Sequence, residues 1–240
     1  DGRFVKSEKF NKPTPAEIAY WGGYFFYHNR LHRNYQDDIS LHYYLLASKD
    51  GITIGKRYFK HENNKEDYPF SPSGHNLYDN NSKLYYCRDF DNIVYQIHED
   101  SVVPRFRINL PNPLPASMIE ERPNEMSLLR SGYSLGITDI YEYGGLLFFR
   151  FVKDGYIWSC LYNVEESKQV YCAKRIKFLD SSLIDTIDGI YKDCFYSILT
   201  PEYLDYAFSE NPLEDYPDLF KTYDVEGDNP VIAFYRAVVR

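Results

Sequence analysis

The chain has 240 residues and a formal net charge of −8, from 35 acidic and 27 basic side chains. That balance repels a phosphate backbone, and no dense Lys/Arg stripe offsets it, so nucleic acid is excluded as an expected partner. Hydrophobic residues at 44% and aromatics at 18% exclude a largely disordered chain, and 25 Tyr with 16 Phe against 2 Met favour strands over helices.

No apolar run approaches the ~20 residues of a membrane helix. Arg105, Arg107, Lys174 and Lys177 interrupt the apolar faces that an outer-membrane barrel requires, so a soluble chain is expected. Asp1-Gly2-Arg3 carries no apolar signal region, and the compartment is not legible from it.

Taken in chain order, the predicted elements repeat. The first repeat, about 12–61, opens with Ala16 to Trp21 and passes Gly22-Gly23 into Tyr24-Phe25-Phe26-Tyr27. It continues through Leu41 to Ser48 and, over Asp50-Gly51, into Ile52 to Phe59. The second, about 75–110, holds His75 to Asp79, Leu84-Tyr85-Tyr86-Cys87, Asn92 to His98 and Val103 to Leu110. The third, about 136–179, holds Gly136 to Tyr143, Leu146-Leu147-Phe148-Phe149, Tyr156 to Asn163 and Gln169 to Phe178. The fourth, about 185–240, holds Asp185 to Tyr191, Cys194-Phe195-Tyr196-Ser197 and Val231 to Val238, with no fourth run.

The bulky clusters start 60, 62 and 48 residues apart, and Asp91-Asn92, Asp154-Gly155 and Asp228-Asn229 precede the third strands. Such dipeptides tolerate the positive φ of tight hairpins. About four strands per unit, joined by hairpins and repeated, predict an all-β fold: a β-propeller of about four four-stranded antiparallel blades. A sandwich would show short strands but no recurring four-strand unit. Short helical insertions are predicted near 123–130, 201–208 and 212–221, the second from the Thr200-Pro201-Glu202 start signal. They are read as lying between repeats on the blade rim, the alternative being a lid over the channel.

The stretch Asp91-Asn92-Ile93-Val94-Tyr95-Gln96-Ile97, then Val103-Pro104-Arg105-Phe106 and Leu110 to Pro115, resembles uncharacterised six-bladed β-propeller proteins of Gram-negative gut anaerobes. Asp228-Asn229-Pro230-Val231-Ile232-Ala233-Phe234-Tyr235 resembles that family's last strand, and Asp1 to Lys6 a final hairpin from the middle of its chain. Ile108-Asn109-Leu110 departs from the Asp-Phe-Gly-like step usual there. The resemblance implies an exported cell-envelope protein, periplasmic or outer-membrane-anchored as a lipoprotein, with no established catalytic residues to carry over.

Chemistry is sparse. Cys87, Cys160, Cys172 and Cys194 lack C-x-x-C spacing, which excludes a zinc ribbon. A hairpin turning over Glu165-Glu166-Ser167 would set Cys160 opposite Cys172, close enough for a disulfide; free, buried thiols beside Tyr162 and Val170 are the expectation. His28 and His32 are spaced like metal ligands, but in a loop that spacing does not converge. His28 to Arg33 is read as a solvated basic loop. Asp37-Asp38, Glu120-Glu121 and Glu165-Glu166 are read as solvated pairs. Ser131 to Gly136 fails the spacing of a nucleophile elbow, and Tyr43, Tyr44, Tyr85 and Tyr86 are read as core.

No catalytic, metal or ligand-binding residue is therefore assigned, and no cofactor is expected. A non-catalytic binding or scaffold propeller with an unknown glycan, peptide or protein ligand is the first reading. A propeller hydrolase or lyase with Asp139, Glu142, Asp185 and Asp188 at the central channel is the competitor. Arg3 to Phe10 would either pair with Val231 to Val238 and close a four-bladed ring, or belong to a preceding blade. The second is expected, giving an open fragment whose Phe- and Tyr-rich faces self-associate.

Overall fold

The computed structural model describes residues 15–29, 42–61, 74–121, 123–174, 176–178, 181–184, 187–210, 223–224, 227 and 229–236. The chain divides into two compact units, residues 1–69 with 97–103 and residues 70–96 with 104–240.

Strands β1 (Glu17–Trp21), β2 (Tyr24–His28), β3 (Tyr43–Ser48) and β4 (Lys56–Lys60) form one up-and-down antiparallel sheet. Gly22 and Gly23 make its first hairpin at φ +54° and +81°, the conformation that a two-residue turn demands. Phe26, Leu45, Leu46 and Ala47 on its two central strands are buried, so both faces are covered there. The last strand begins four residues later than the expected Ile52. The Asp50 carboxylate accepts from Ile52 N at 2.8 Å and Thr53 N at 2.7 Å, which wraps this segment into a turn. Those donors hold the Asp50 carboxyl well below its ordinary range.

The second sheet orders β5 (Leu77–Asp79), β6 (Leu84–Cys87), β7 (Ile93–Ile97) and β8 (Val102–Arg107) in the same way. Helices α1 (Ala116–Glu121) and α2 (Glu125–Leu129) follow. The expected helix at 123–130 is α2, capped by Asn124, whose side chain accepts from Ser127 N at 2.9 Å. Helix α1 follows Pro115 and has no start signal like that of Thr200-Pro201-Glu202. The third sheet orders β9 (Ser134–Tyr143), β10 (Leu146–Lys153), β11 (Tyr156–Asn163) and β12 (Lys168–Ala173).

Two expectations are corrected beyond this point. The run Gln169 to Phe178 is not one strand. The third sheet ends at Ala173, and β13 (Ile176–Phe178) pairs instead with β14 (Ser181–Ile184). Cys172, Ile176 and Phe178 share one parity of a single strand, which hid the break. The last sheet has three strands, β15 (Gly189–Tyr191), β16 (Cys194–Leu199) and β17 (Val231–Tyr235). Helix α3 (Pro201–Glu210) lies inside this sheet's sequence, between β16 and β17, rather than between repeats. Thr200 caps it, its hydroxyl accepting from Tyr203 N at 3.3 Å. The helix expected at 212–221 and the strand at Arg3 to Phe10, with the ring closure that depended on it, lie outside the described residues.

In the second unit the first strands β5 and β15 both lie beside β9, around a core that includes Tyr85, Ile140, Phe148, Ile187 and Phe195. Gly136 makes the closest backbone approach: at φ +101°, a Cβ there would stand 2.7 Å from Phe90 Cα. Gly136→Ala combines backbone strain with a clash against main chain that cannot rotate away. A loss of about 3 kcal/mol or more is expected, read as a lower urea midpoint at unchanged slope.

Candidate functional site

Strand β9 presents Asp139 and Glu142, two of the four acids expected innermost, and each is held by its own partner. The Glu142 side chain is only 9% exposed and pairs with Lys83 at 2.7 Å and Arg105 at 3.2 Å. It also accepts from the Tyr85 hydroxyl. Burial would raise the Glu142 pKa, but the donations from Lys83 and Tyr85 and the charges of Lys83 and Arg105 outweigh it and lower the pKa. Tyr85 is pushed far up by burial and then by its bond to Glu142. Asp139 sits at a bulge with φ +52° and pairs with Arg150 at 2.7 Å. Asp188 accepts from Ile198 N at 2.7 Å; Asp185 is outside the described residues. Among the described residues no three His, Cys, Asp or Glu side chains gather as a metal site.

A different feature has the shape of a site. A cleft of about 440 Å³ opens beside the third sheet. One wall is the segment that follows β8, with Ile108, Leu110 and Pro111; the other is the face of β10 and β11, with Phe149, Phe151 and Trp158. Phe151 and Trp158 oppose each other across the ladder with ring centroids 6.2 Å apart and planes 11° from parallel. Lys153, Asn109 and Gln169 add polar groups to the lining. Trp158 Nε1 is buried and has no acceptor among the described residues. Sequence reasoning missed this cleft; the aromatic alternation on β10 and β11 was its one visible trace.

The floor carries a correction. Cys160 and Cys172 are disulfide-bonded, not free. They face each other across β11 and β12, the register that the hairpin arithmetic allows, and directly opposed residues leave the two sulfurs within bonding reach. Cys87 and Cys194 are free. Burial, then Asp91 and Asp89, pushes the Cys87 thiol well up, so it makes a poor nucleophile.

The remaining candidates do not converge. His28 is buried at the end of β2, while His32 and Asp37-Asp38 are outside the described residues. Glu121, Glu165 and Glu166 are exposed. The Ser131 hydroxyl donates to Leu128 O at 2.7 Å, as a turn residue does. Tyr85 and Tyr86 are fully buried core residues.

Fold and cleft together define an all-β protein of repeated up-and-down sheets with one apolar cleft beside a cross-strand disulfide. The family described as Domain of unknown function (DUF4934) matches residues 1–236, and the chain belongs to it. Its fold is similar to that of a solved "putative exported protein" from Bacteroides fragilis, with a TM-score of 0.64 and 15% identity, over 88% of this chain and 61% of that one. The chain thus spans about three-fifths of that protein's length. No curated protein matches. Among the described residues no helix is long and apolar enough to cross a membrane.

The Glu142 pairings give a pH signature. A carboxylate whose folded pKa lies below the ordinary 4.5 stabilises the fold fully above that value, and the benefit is lost as pH falls through the folded pKa. Glu142→Gln should cost about 1–2 kcal/mol at neutral pH, modest because both cations are partly solvated, and should flatten the acid limb of a stability–pH curve. For the disulfide, non-reducing mass spectrometry should show the 160–172 peptide link. Cys160→Ser with Cys172→Ser should cost about 3 kcal/mol in urea unfolding for a loop of this size.

Proposed function

We propose that this chain is a non-catalytic binding or scaffold module of a bacterial cell-envelope protein, built as blades of a β-propeller. The observation that carries the binding reading is the cleft: aromatic and aliphatic walls with a few polar groups, and no acid or nucleophile on its described lining. The acids of the inner strand support the non-catalytic reading, since ion pairs and backbone donors occupy them.

The propeller reading draws support from up-and-down sheets in series and from the placing of β5 and β15 beside β9. The remaining length of the B. fragilis protein has room for further sheets, in keeping with a six-bladed ring. An oxidising compartment, periplasmic or outer-membrane-anchored, fits the disulfide and the exported character ascribed to that protein. On the last sheet Ile198, Ile232 and Phe234 are 46%, 55% and 53% exposed, which favours self-association of this chain when it stands alone.

A glycan and peptide array combined with elemental analysis of purified protein tests the reading. Retention of a ligand class without turnover, and no stoichiometric metal, is the expected result. A metal held by acids from two sheets, or turnover of a retained ligand, would overturn it.

A further inference from the structure

We propose that the cleft at the Cys160–Cys172 disulfide binds an apolar carboxylate, its flat hydrocarbon body lying against Phe151 and Trp158 and its carboxylate meeting Lys153. This rests on the reading of the chain as a binding module and names the ligand class of that module.

Charge carries the assignment. Lys153 is the one charged side chain on the described lining of the cleft. Its neighbour on β10, Arg150, is consumed by Asp139, and Lys83, Arg88, Arg105 and Arg236 each have a carboxylate within 3.2 Å. Lys153 has none among the described residues, in a chain with an excess of acids. Lys174 strengthens the positive field nearby: its Nζ lies 3.5 Å from the centroid of Tyr156 and 5.8 Å from that of Trp158. An anion at this end of the cleft meets Lys153 and no competing acid on the described lining.

The body of the ligand follows from the walls. Parallel rings on one side and Ile108, Leu110 and Pro111 on the other suit a flat apolar group, and about 440 Å³ lies within the range of small-molecule sites. Gln169 reaches the lining because Val170 is bulged out of register with β11, which breaks the alternation and turns Gln169 to the face of Cys172. Trp158 adds adaptability. With no acceptor for its N–H, the ring can re-seat against a ligand without losing a hydrogen bond.

The protein's 2 tryptophans, Trp21 and Trp158, allow a direct test. In a Trp21→Phe background, Trp158 is the sole indole reporter. The probes are 4-phenylbutyrate, its neutral amide 4-phenylbutyramide, and N-acetylphenylalanine as a stand-in for a peptide C-terminus. Saturable emission change with 4-phenylbutyrate is expected, with the amide about tenfold weaker or more. Lys153→Gln should weaken the acid about tenfold and leave the amide unchanged; Lys153→Arg should retain binding, and Lys174→Gln should change it less than about twofold. Melting curves of each variant separate lost binding from lost fold. N-acetylphenylalanine binding tighter than 4-phenylbutyrate assigns the carboxylate to a chain terminus, and weaker binding to a free small acid. Equal affinity for acid and amide, or no effect of Lys153→Gln, overturns the carboxylate assignment while the binding-module reading stands. Array hits that leave Trp158 silent overturn the cleft as the site, and a blank array with silent Trp158 overturns both readings.

Discussion

The second unit depends on one side chain in a turn. Asn80, 3% exposed, donates to Tyr78 O and Ile140 O at 3.1 Å and accepts from Glu142 N at 2.6 Å. Its NH₂ meets two carbonyls and its oxygen meets an N–H, so the amide's orientation is fixed. Strands β5 and β9 lie side by side but belong to different sheets, and neither completes the other's ladder. A buried amide that mimics a peptide group supplies the bonds a strand would have made, in surroundings where an orphan N–H is costly. Glu142, gathered into the ion pairs of Lys83 and Arg105, then fixes the end of the same strand. Tyr141 continues the link, its hydroxyl donating to Asp188 O at 2.9 Å.

The repeat was legible because it is written twice, in the bulky clusters and in the turns. Tyr24, Leu84, Leu146 and Cys194 each open a second strand, as their periodicity implies. Gly22-Gly23, Gly144-Gly145 and Asp154-Gly155 all carry positive φ, a backbone demand that residue type declares in advance. What failed was local. A single carboxylate, Asp50, moved the start of β4. The end of β12 had no turn residue to announce it, and Cys172, Ile176 and Phe178 keep one strand's parity into a separate hairpin. Thr200-Pro201-Glu202 announced α3, and Asn124 caps α2; α1 follows Pro115 with no capping side chain of that kind and went unseen.

The site was less legible than the fold, for a physical reason. Asp139 and Glu142 look like catalytic acids when neighbours are unknown, but their chemistry is set by Arg150, Lys83 and Arg105, which arrive from elsewhere in the chain. Only the fold reveals that these carboxylates are neutralised, Asp139 from the neighbouring strand of its own sheet and Glu142 from the second sheet. Cys160 and Cys172 were the opposite case. Their register followed from hairpin arithmetic, and the bond failed to be expected because burial was weighed above proximity.

The cleft itself is a consequence of unequal strands. β10 and β11 are 8 residues each, whereas β5 and β6 are 3 and 4. The longer pair runs past the compact core, and Tyr156 and Ile157 at its far hairpin are 54% and 49% exposed. Just inward, Phe151 and Trp158 face residues 108–111, a segment held by an Ile108 N to Asn92 O bond of 2.9 Å at one end and by the Ser134 hydroxyl donating to Pro111 O at 2.5 Å at the other, rather than by a full ladder. A wall tied at its two ends rather than along a ladder has fewer bonds to break than the strands it faces, while the disulfide fixes the floor. One rigid aromatic face against one aliphatic segment tied at its ends leaves an open cleft with no strand broken, which is why it lies beside the third sheet.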